Sequence, residues 1–354
     1  MKRSRQQLQN ALPKSVDLLA LAEYVEAFSS KTIVLLGDFV ADEFQFGDIS
    51  RVSREAPVLI LRHRETQFVP GGGGNAANNF AALGARVLPV SAVGEDAAGK
   101  ALLDYFRARR VDVSGIVRAK NWTTPTKTRF IAGWAHTVGQ QVLRVDREPQ
   151  SVLPQQIGDK LRQLLFARVR RADALAISDY GFGVATPGLV AQARVKAKPG
   201  LNITLDARYQ LGAYARAGVA FATPNEGELE ALHHASIGQN LEELARCGSA
   251  TLAAMKLRAL LVTRGRDGMA LFEPGSPFVR IPIHGSDQAV DVTGAGDTVL
   301  AAYTLALASG APPLEAAHIA NIAGGLVVMK RGTATVSREE LLQEIRGEAA
   351  GAGG

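Results

Sequence analysis

Asp291-Val-Thr-Gly-Ala-Gly-Asp297 runs directly into the apolar stretch Thr298-Val-Leu-Ala-Ala-Tyr-Thr-Leu-Ala-Leu307. The pattern reads as a glycine loop opening a helix, with one carboxylate in the first turn. Gly294 and Gly296 let backbone N–H groups come close to a ligand, and helix-start N–H groups and the dipole favour an anion there. Such a loop can hold a transferring phosphoryl group while Asp297 accepts the proton of an attacking hydroxyl. An ordinary helix N-terminus with an acidic first turn has the same letters, so the decision rests on the rest of the chain.

Outward from this stretch, strand-like runs alternate with helical ones. Lys31–Gly37, Arg86–Val93, Ala172–Asp179, Asn202–Asp206, Val219–Thr223, Ala259–Thr263 and Met269–Phe272 read as strands. Asn75–Gly84 and Gly99–Arg110 read as helices, with two more starting at Asp297 and Leu314. This alternation predicts an α/β fold with a mostly parallel sheet covered on both faces. Residues 39–69 and 124–145 break it, reading as strands without helices, and predict a small antiparallel sheet that could close over a site. Residues 1–30 are expected to form an N-terminal helical extension, 31–346 the main domain, and 347–354 a disordered tail.

With 354 residues, 47% of them hydrophobic and 21% charged, the chain has the composition of a globular protein. A single cysteine, Cys247, excludes an internal disulfide and fits a reducing compartment. No apolar run approaches roughly 18 residues, and the N-terminus lacks a compact signal-peptide core, so a soluble, cytoplasmic protein is expected, with no membrane partner. The net charge of +6 comes from clusters such as Arg107–Arg110 and Arg168–Arg171, which lack interleaved aromatics. Solvated helix faces explain them better than a nucleic-acid surface, and a basic balance suits phosphate ligands.

Several constellations stand beside the opening motif. Asp38 follows a strand and Gly37, at the kind of carboxyl end where open α/β sheets bind ligands. Pro70-Gly-Gly-Gly-Gly-Asn75 precedes a helix, and Asp38, Gly72, Gly73 and Asn75 could face sugar hydroxyls; a flexible turn is the plain alternative. In Thr223–Glu230, Asn225 and Glu228 share a helix face, as a pair for hydrated Mg²⁺ or as a simple capping box. Thr263-Arg-Gly-Arg-Asp-Gly268 is either a hairpin turn or a nucleotide border. Gly94–Ala101 nearly fits a P-loop, but Ala101 lacks the needed hydroxyl and Glu95 and Asp96 would repel phosphates. His233 and His234 have no ligand spacing and read as surface residues.

These pieces occur in an order that resembles the ribokinase-like, PfkB-type carbohydrate kinases, over essentially Lys31–Arg346. Pro70–Gly84 with Val93-Gly-Glu-Asp-Ala-Ala-Gly99, and Asp291–Asp297, match the two family signatures. Within the family the chain is similar to the kinases of ADP-heptose synthesis, through Gly37–Phe44, Gly47–Pro57, Ser178-Asp-Tyr-Gly181 and Lys330–Val336. The resemblance implies a three-layer sandwich with a β lid that pairs two subunits into a homodimer. It implies an ATP-dependent kinase acting on a sugar or sugar phosphate, foremost the anomeric hydroxyl of a heptose 7-phosphate. Asp297 would be the base and Gly294, Ala295 and Gly296 the anion hole. Asn225 and Glu228 would organise Mg²⁺ through water, and Thr263, Gly265, Gly268 and Asn321 would border the nucleotide. Asp291, Thr293, Val328, Arg331 and Thr335 would hold a monovalent cation, K⁺, that orders the anion-hole loop. Arg129 and Arg144, on lid-like strands, could bind a distal phosphate. The chain departs from the heptose kinases at Phe182, at Ala207-Arg208 and in its four glycines. Fructokinase, ribokinase or ketodeoxygluconate kinase activity, or a non-catalytic sugar- or nucleotide-binding regulator, remain as alternatives. No HxGH nucleotidyltransferase motif occurs, which leads to the expectation of a kinase alone.

Overall fold

The computed structural model describes residues 16–133, 139–285, 289–330 and 332–352. Strand β1 (Thr32–Gly37) shows how the core is built, because its side chains alternate between two apolar layers. Ile33 and Leu35 join one core, Val34 and Leu36 the other, as the two-residue period of a strand requires. Both faces are covered, so the strand is a continuous apolar run. Eight further strands extend this sheet: β4 (Arg86–Gly94), β5 (Ile116–Ala119), β8 (Ala174–Asp179), β9 (Asn202–Ala207), β10 (Phe221–Ala222), β11 (Ala259–Thr263), β12 (Met269–Phe272) and β13 (Val279–Ile281). Their order is β13-β12-β11-β10-β9-β8-β1-β4-β5. Pairing is parallel from β11 through β5, and β12 and β13 add an antiparallel edge.

One face carries α1 (Leu18–Glu26), α2 (Gly73–Ala82), α3 (Ala97–Ala108), α8 (Ala295–Ala308), α9 (Pro313–Val328) and α10 (Arg338–Ala352). The other carries α4 (Gln155–Val169), α5 (Pro187–Lys196), α6 (Glu226–His233) and α7 (Leu241–Met255). Helix α8 is buried without interruption from Asp297 to Leu307, which is why its sequence shows no polar stripe. Each of its leucines contributes roughly 1.5–3 kcal/mol of burial to holding Asp297 at a fixed place.

A second, four-stranded sheet has the order β3-β2-β6-β7, from β2 (Phe39–Val52), β3 (Leu59–Gly72), β6 (Thr126–Gly133) and β7 (Gln140–Arg147). The antiparallel arrangement expected from the sequence holds for β2–β3 and β6–β7, whereas the central pair β2–β6 is parallel. β2 and β6 each follow a parallel strand of the main sheet, β1 and β5, so both leave its carboxyl edge in one direction. Residues 134–138, within the segment expected to join β6 and β7, lie outside the described residues.

Two boundaries differ from expectation. Residues 347–352 form the last turns of α10 rather than a disordered tail, with Glu348 Oε1 3.2 Å from His284 Nδ1 tying them to the domain. Within the N-terminal extension, α1 is helical from Leu18 and is capped by Asp17, whose carboxylate accepts from Leu19 N at 2.9 Å. Its Leu21 and Val25 belong to the main core, so α1 is packed into the domain; residues 1–15 lie outside the described residues. Among the described residues no helix is long and apolar enough to cross a membrane.

Candidate active site

Two helix N-termini meet at the carboxyl edge of the main sheet. The first belongs to α2, which starts at Gly73, directly where β3 ends. The glycine run is therefore a strand-to-helix junction and not a flexible turn. Gly72 has φ +55°, and a Cβ there would stand 2.9 Å from Asp38 O and 3.3 Å from Tyr180 Cδ2. Gly73 N donates to Asp38 O at 2.9 Å. The second belongs to α8, entered through Gly294 at φ +81°, where a Cβ would stand 2.4 Å from Asn75 Nδ2. Only glycine leaves room for Asn75 to reach past the loop.

Asn75 reaches Asp297. Its Nδ2 donates to Asp297 Oδ2 at 2.8 Å, and the Tyr180 hydroxyl lies 3.4 Å from Oδ1. Asn79 Nδ2 donates to the Asn75 carbonyl at 3.0 Å, and Thr298 Oγ1 donates to Asn79 Oδ1 at 2.8 Å, which closes the network between the two helices. Asp297 is only 4% exposed. Burial pushes its carboxyl up to about 7, against the pull of the Asn75 and Tyr180 hydrogen bonds. The resulting group titrates where a general base works well. Of the three loop amides, Ala295 N donates to Val292 O at 3.3 Å, while Gly294 and Gly296 show no such partner among the described residues.

Asp38 lies at the carboxyl end of β1, as the sequence suggested, and its carboxylate is taken up by backbone amides. Its Oδ2 accepts from Tyr180 N at 2.8 Å and Phe182 N at 3.1 Å, and its Oδ1 from Val184 N at 2.9 Å. At 1% exposed, it staples the 180–184 loop in place. Asp179 holds the same loop from the other side, through Gly181 N at 2.8 Å and the Tyr214 hydroxyl at 2.7 Å.

The basic residues sort into paired and unpaired. Arg129 is bonded to Asp42, and Arg144 makes a fork to Asp146 at 2.8 and 2.6 Å. Lys127, not singled out from the sequence, and Arg208, noted there only as a departure from the heptose kinases, have no ion pair among the described residues. The Lys127 ammonium lies 5.5 Å and the Arg208 guanidinium 5.9 Å from the Tyr180 ring centre. Burial, and then the charges of Arg208, Arg144 and Arg129, push the Lys127 ammonium down, with Asp42 opposing.

Asn225 and Glu228 form a reciprocal capping box on α6, with Glu228 N to Asn225 Oδ1 and Asn225 N to Glu228 Oε2 both 2.9 Å. Burial raises the Glu228 carboxyl to about 6. Asp206, at the end of β9, has no side-chain hydrogen bond among the described residues. Its carboxyl is pushed well up, first by burial and then by Glu228 and Asp297. This crowd of acids with one unpartnered member suits a divalent cation with oxygen ligands. The sequence hid Asp206 because it closes an otherwise ordinary buried strand.

Thr263, Gly265, Gly268 and Asn321 all line one cavity of about 180 Å³, together with Val292, Gly296 and Gly324. The Thr263–Gly268 segment is indeed a hairpin turn between β11 and β12, and it borders that cavity as well. Asn321 Nδ2 is committed to Pro282 O at 2.8 Å. Asp291 and Val328 are knotted together: Asp291 N donates to Val328 O at 3.0 Å, and Asp291 Oδ1 and Oδ2 accept from Thr293 N and Gly332 N at 2.9 and 3.0 Å. The Thr335 carbonyl accepts from Lys330 Nζ at 2.8 Å, so an ammonium already sits on it. Arg331 lies outside the described residues. Asp96, in the near-P-loop, caps α3 through Gly99 N at 2.7 Å. His233 is less exposed than expected and bonds Thr251 Oγ1 at 2.7 Å.

The sequence pattern of the pfkB family carbohydrate kinases matches residues 31–340. The bifunctional proteins HldE of Geobacter sulfurreducens and Caulobacter are 38% and 40% identical over 310 and 342 residues, covering 87% and 93% of this chain. The chain spans 62% and 65% of the length of these curated relatives. Phosphofructokinase-2 from Escherichia coli, in complex with potassium, superposes with a TM-score of 0.72 at 20% identity, covering 90% of this chain and 99% of that one. Ribokinase from Arabidopsis thaliana, complexed with ribose and ATP, gives 0.69 at 20% identity, over 89% and 99%. At these identities the two structures are likenesses of fold.

Proposed function

The chain belongs to the pfkB family of carbohydrate kinases and is an ATP-dependent sugar kinase; from that premise we propose that its acceptor is the anomeric hydroxyl of a heptose 7-phosphate. One observation carries the reading: Lys127 and Arg208, two cations with no ion pair among the described residues, flank Tyr180 beside Asp297. A sugar with its hydroxyl at Asp297 would direct a distal phosphate to them. Arg129 and Arg144, given that role from the sequence, are already satisfied by Asp42 and Asp146 and instead frame the pair. The likeness of the Gly47–Pro57 block to heptose kinases, and the HldE relatives, support the same acceptor.

In the proposed step Asp297 takes the proton of the hydroxyl as its oxygen attacks the γ-phosphorus of ATP. The bond from that phosphorus to the β–γ bridging oxygen breaks, and ADP leaves. The N–H groups of Gly294 and Gly296, without a backbone partner among the described residues, and the start of α8 face the charge on the transferring group. Asn75 orients the base and Asp38 the loop beneath the sugar. The nucleotide lies along the Thr263, Gly265, Gly268 and Asn321 cavity. Asp206 and Glu228, with Asn225 closing the cap, would hold hydrated Mg²⁺, which neutralises phosphate charge when bound. A monovalent cation beside Asp291, Thr293 and Val328 would stiffen the α8 loop; Thr335, with an ammonium on its carbonyl, does not fit as its ligand. The cytoplasm, where ATP is abundant, is the compartment this reading requires. The lid's outer groove is lined by Phe46, Val58, Leu59, Leu61, Phe130 and Leu143, and Leu143 is 54% exposed. That apolar face is the proposed dimer surface.

Phe182, an apolar side chain in the 180–184 loop, favours a second reading, a kinase of an unphosphorylated sugar. Phosphorus-31 NMR tests the first. Incubation with ATP, Mg²⁺ and a heptose 7-phosphate should yield an anomeric phosphate ester, one for each ADP. ADP released without an ester would remove this acceptor.

A further inference from the structure

Among the described residues, Asp297 has one side-chain donor on each oxygen: Asn75 on Oδ2 at 2.8 Å, and the Tyr180 hydroxyl at 3.4 Å from Oδ1. We propose that Tyr180 is a positioning residue for the base, its hydroxyl fixing Oδ1 so that the remaining lone pairs of the carboxylate face the acceptor hydroxyl. The proposal rests on the reading of Asp297 as that base.

The backbone around Tyr180 is held more firmly than a surface loop needs. Tyr180 N and Phe182 N are bonded to Asp38 Oδ2, Val184 N to Asp38 Oδ1, and Gly181 N to Asp179 Oδ1. The far oxygen of Asp179 is itself fixed by the Tyr214 hydroxyl. Two buried carboxylates are thus spent on one short loop, and Tyr180 is the residue that this loop delivers to Asp297. The ring is seated too. Gly72 leaves space at Tyr180 Cδ2, where a Cβ would come within 3.3 Å, and Lys127 and Arg208 stand over the ring. Burial, and then the charge of Asp297, raise the phenol well above its ordinary value, so it stays a hydroxyl and donates. The 3.4 Å separation is longer than an optimal O–H···O bond, and the proposal requires it to shorten when substrate excludes water.

Tyr180→Phe keeps the ring and removes only the donor. With ATP and the accepted sugar, kcat should fall about threefold to tenfold, with KM for ATP unchanged. The acid limb of kcat against pH should move up by about half to one pH unit, since the lost bond favoured the carboxylate. A mere packing role would move neither. Carbon-13 NMR titration of the Asp297 carboxyl, assigned by difference with Asp297→Asn, reads the same upward shift without any turnover. Incorporation of 3-fluorotyrosine at 180, a stronger donor of nearly the same shape, should move that titration downward. If the sugar reading fails and no acceptor is found, this titration still decides. An Asp297 titration unmoved by both replacements overturns the proposal, as does a kcat profile unmoved by Tyr180→Phe.

Discussion

Asp297 shows how much a single residue's surroundings decide. A surface aspartate would be ionised throughout the physiological range, whereas burial holds this one near 7 while Asn75 and Tyr180 pull it down. A base works only when unprotonated, so kcat should be flat above about pH 7 and fall roughly tenfold for each unit below it. Asp297→Asn should cost on the order of 10²–10⁴-fold in kcat, and remove that acid limb, with ATP and sugar affinity near wild type. A folded mutant keeping most of its kcat would remove Asp297 from the role. Arg208→Met should raise KM for a phosphorylated sugar about tenfold or more, because a charge-assisted hydrogen bond is lost, and leave KM for ATP alone; an unchanged sugar KM would free the cation of that duty. Asp297 was legible in the sequence because two glycines and an apolar helix surround it. Lys127 and Arg208 could not be read as a phosphate site, because their significance is that no ion pair among the described residues engages them. The register sets Lys127 opposite both Asp42 and Asp146, and only the side-chain contacts show that these acids are taken by Arg129 and Arg144.

At the scale of elements, the apposition of α2 and α8 makes the site, and both starts were marked by glycines. The four-glycine run looked like a place for a sugar, but much of its value is steric, letting β3 turn into α2 against Asp38. The Asn225–Glu228 pair forms a capping box, and the cap fixes Glu228 beside Asp206, where the proposed cation would sit. The loop before α8 is tied to the end of α9 by Asp291 and Val328. If a monovalent cation completes that knot, K⁺ should give a higher kcat than Na⁺ or choline at one ionic strength. Equal rates would leave the ordering to these hydrogen bonds and to Lys330 alone. In the lid, the parallel β2–β6 pair could not be read from strand patterns, because direction is set by where each strand leaves the main sheet. Its apolar outer face predicts a dimer that Leu143→Glu weakens, read as mass by light scattering; a wild-type monomer at tens of micromolar would contradict it.

For the whole molecule, the alternation of strands and helices carried the architecture, because parallel strands buried on both faces are apolar throughout and their crossovers are helices. What it could not carry was the convergence of residues from distant segments on one cleft: Lys127 from the lid, Tyr180 after β8, Asp206 and Arg208 at the end of β9, Asp297 on α8. Together they support the proposed reading of a kinase whose acceptor already bears a phosphate. The most direct measurement is kcat/KM for matched phosphorylated and free sugars, heptose 7-phosphate against heptose first. The account predicts a preference of roughly tenfold to a hundredfold for the phosphorylated member. A free sugar that is the better substrate would contradict it, and the chain would then be a kinase of simple sugars.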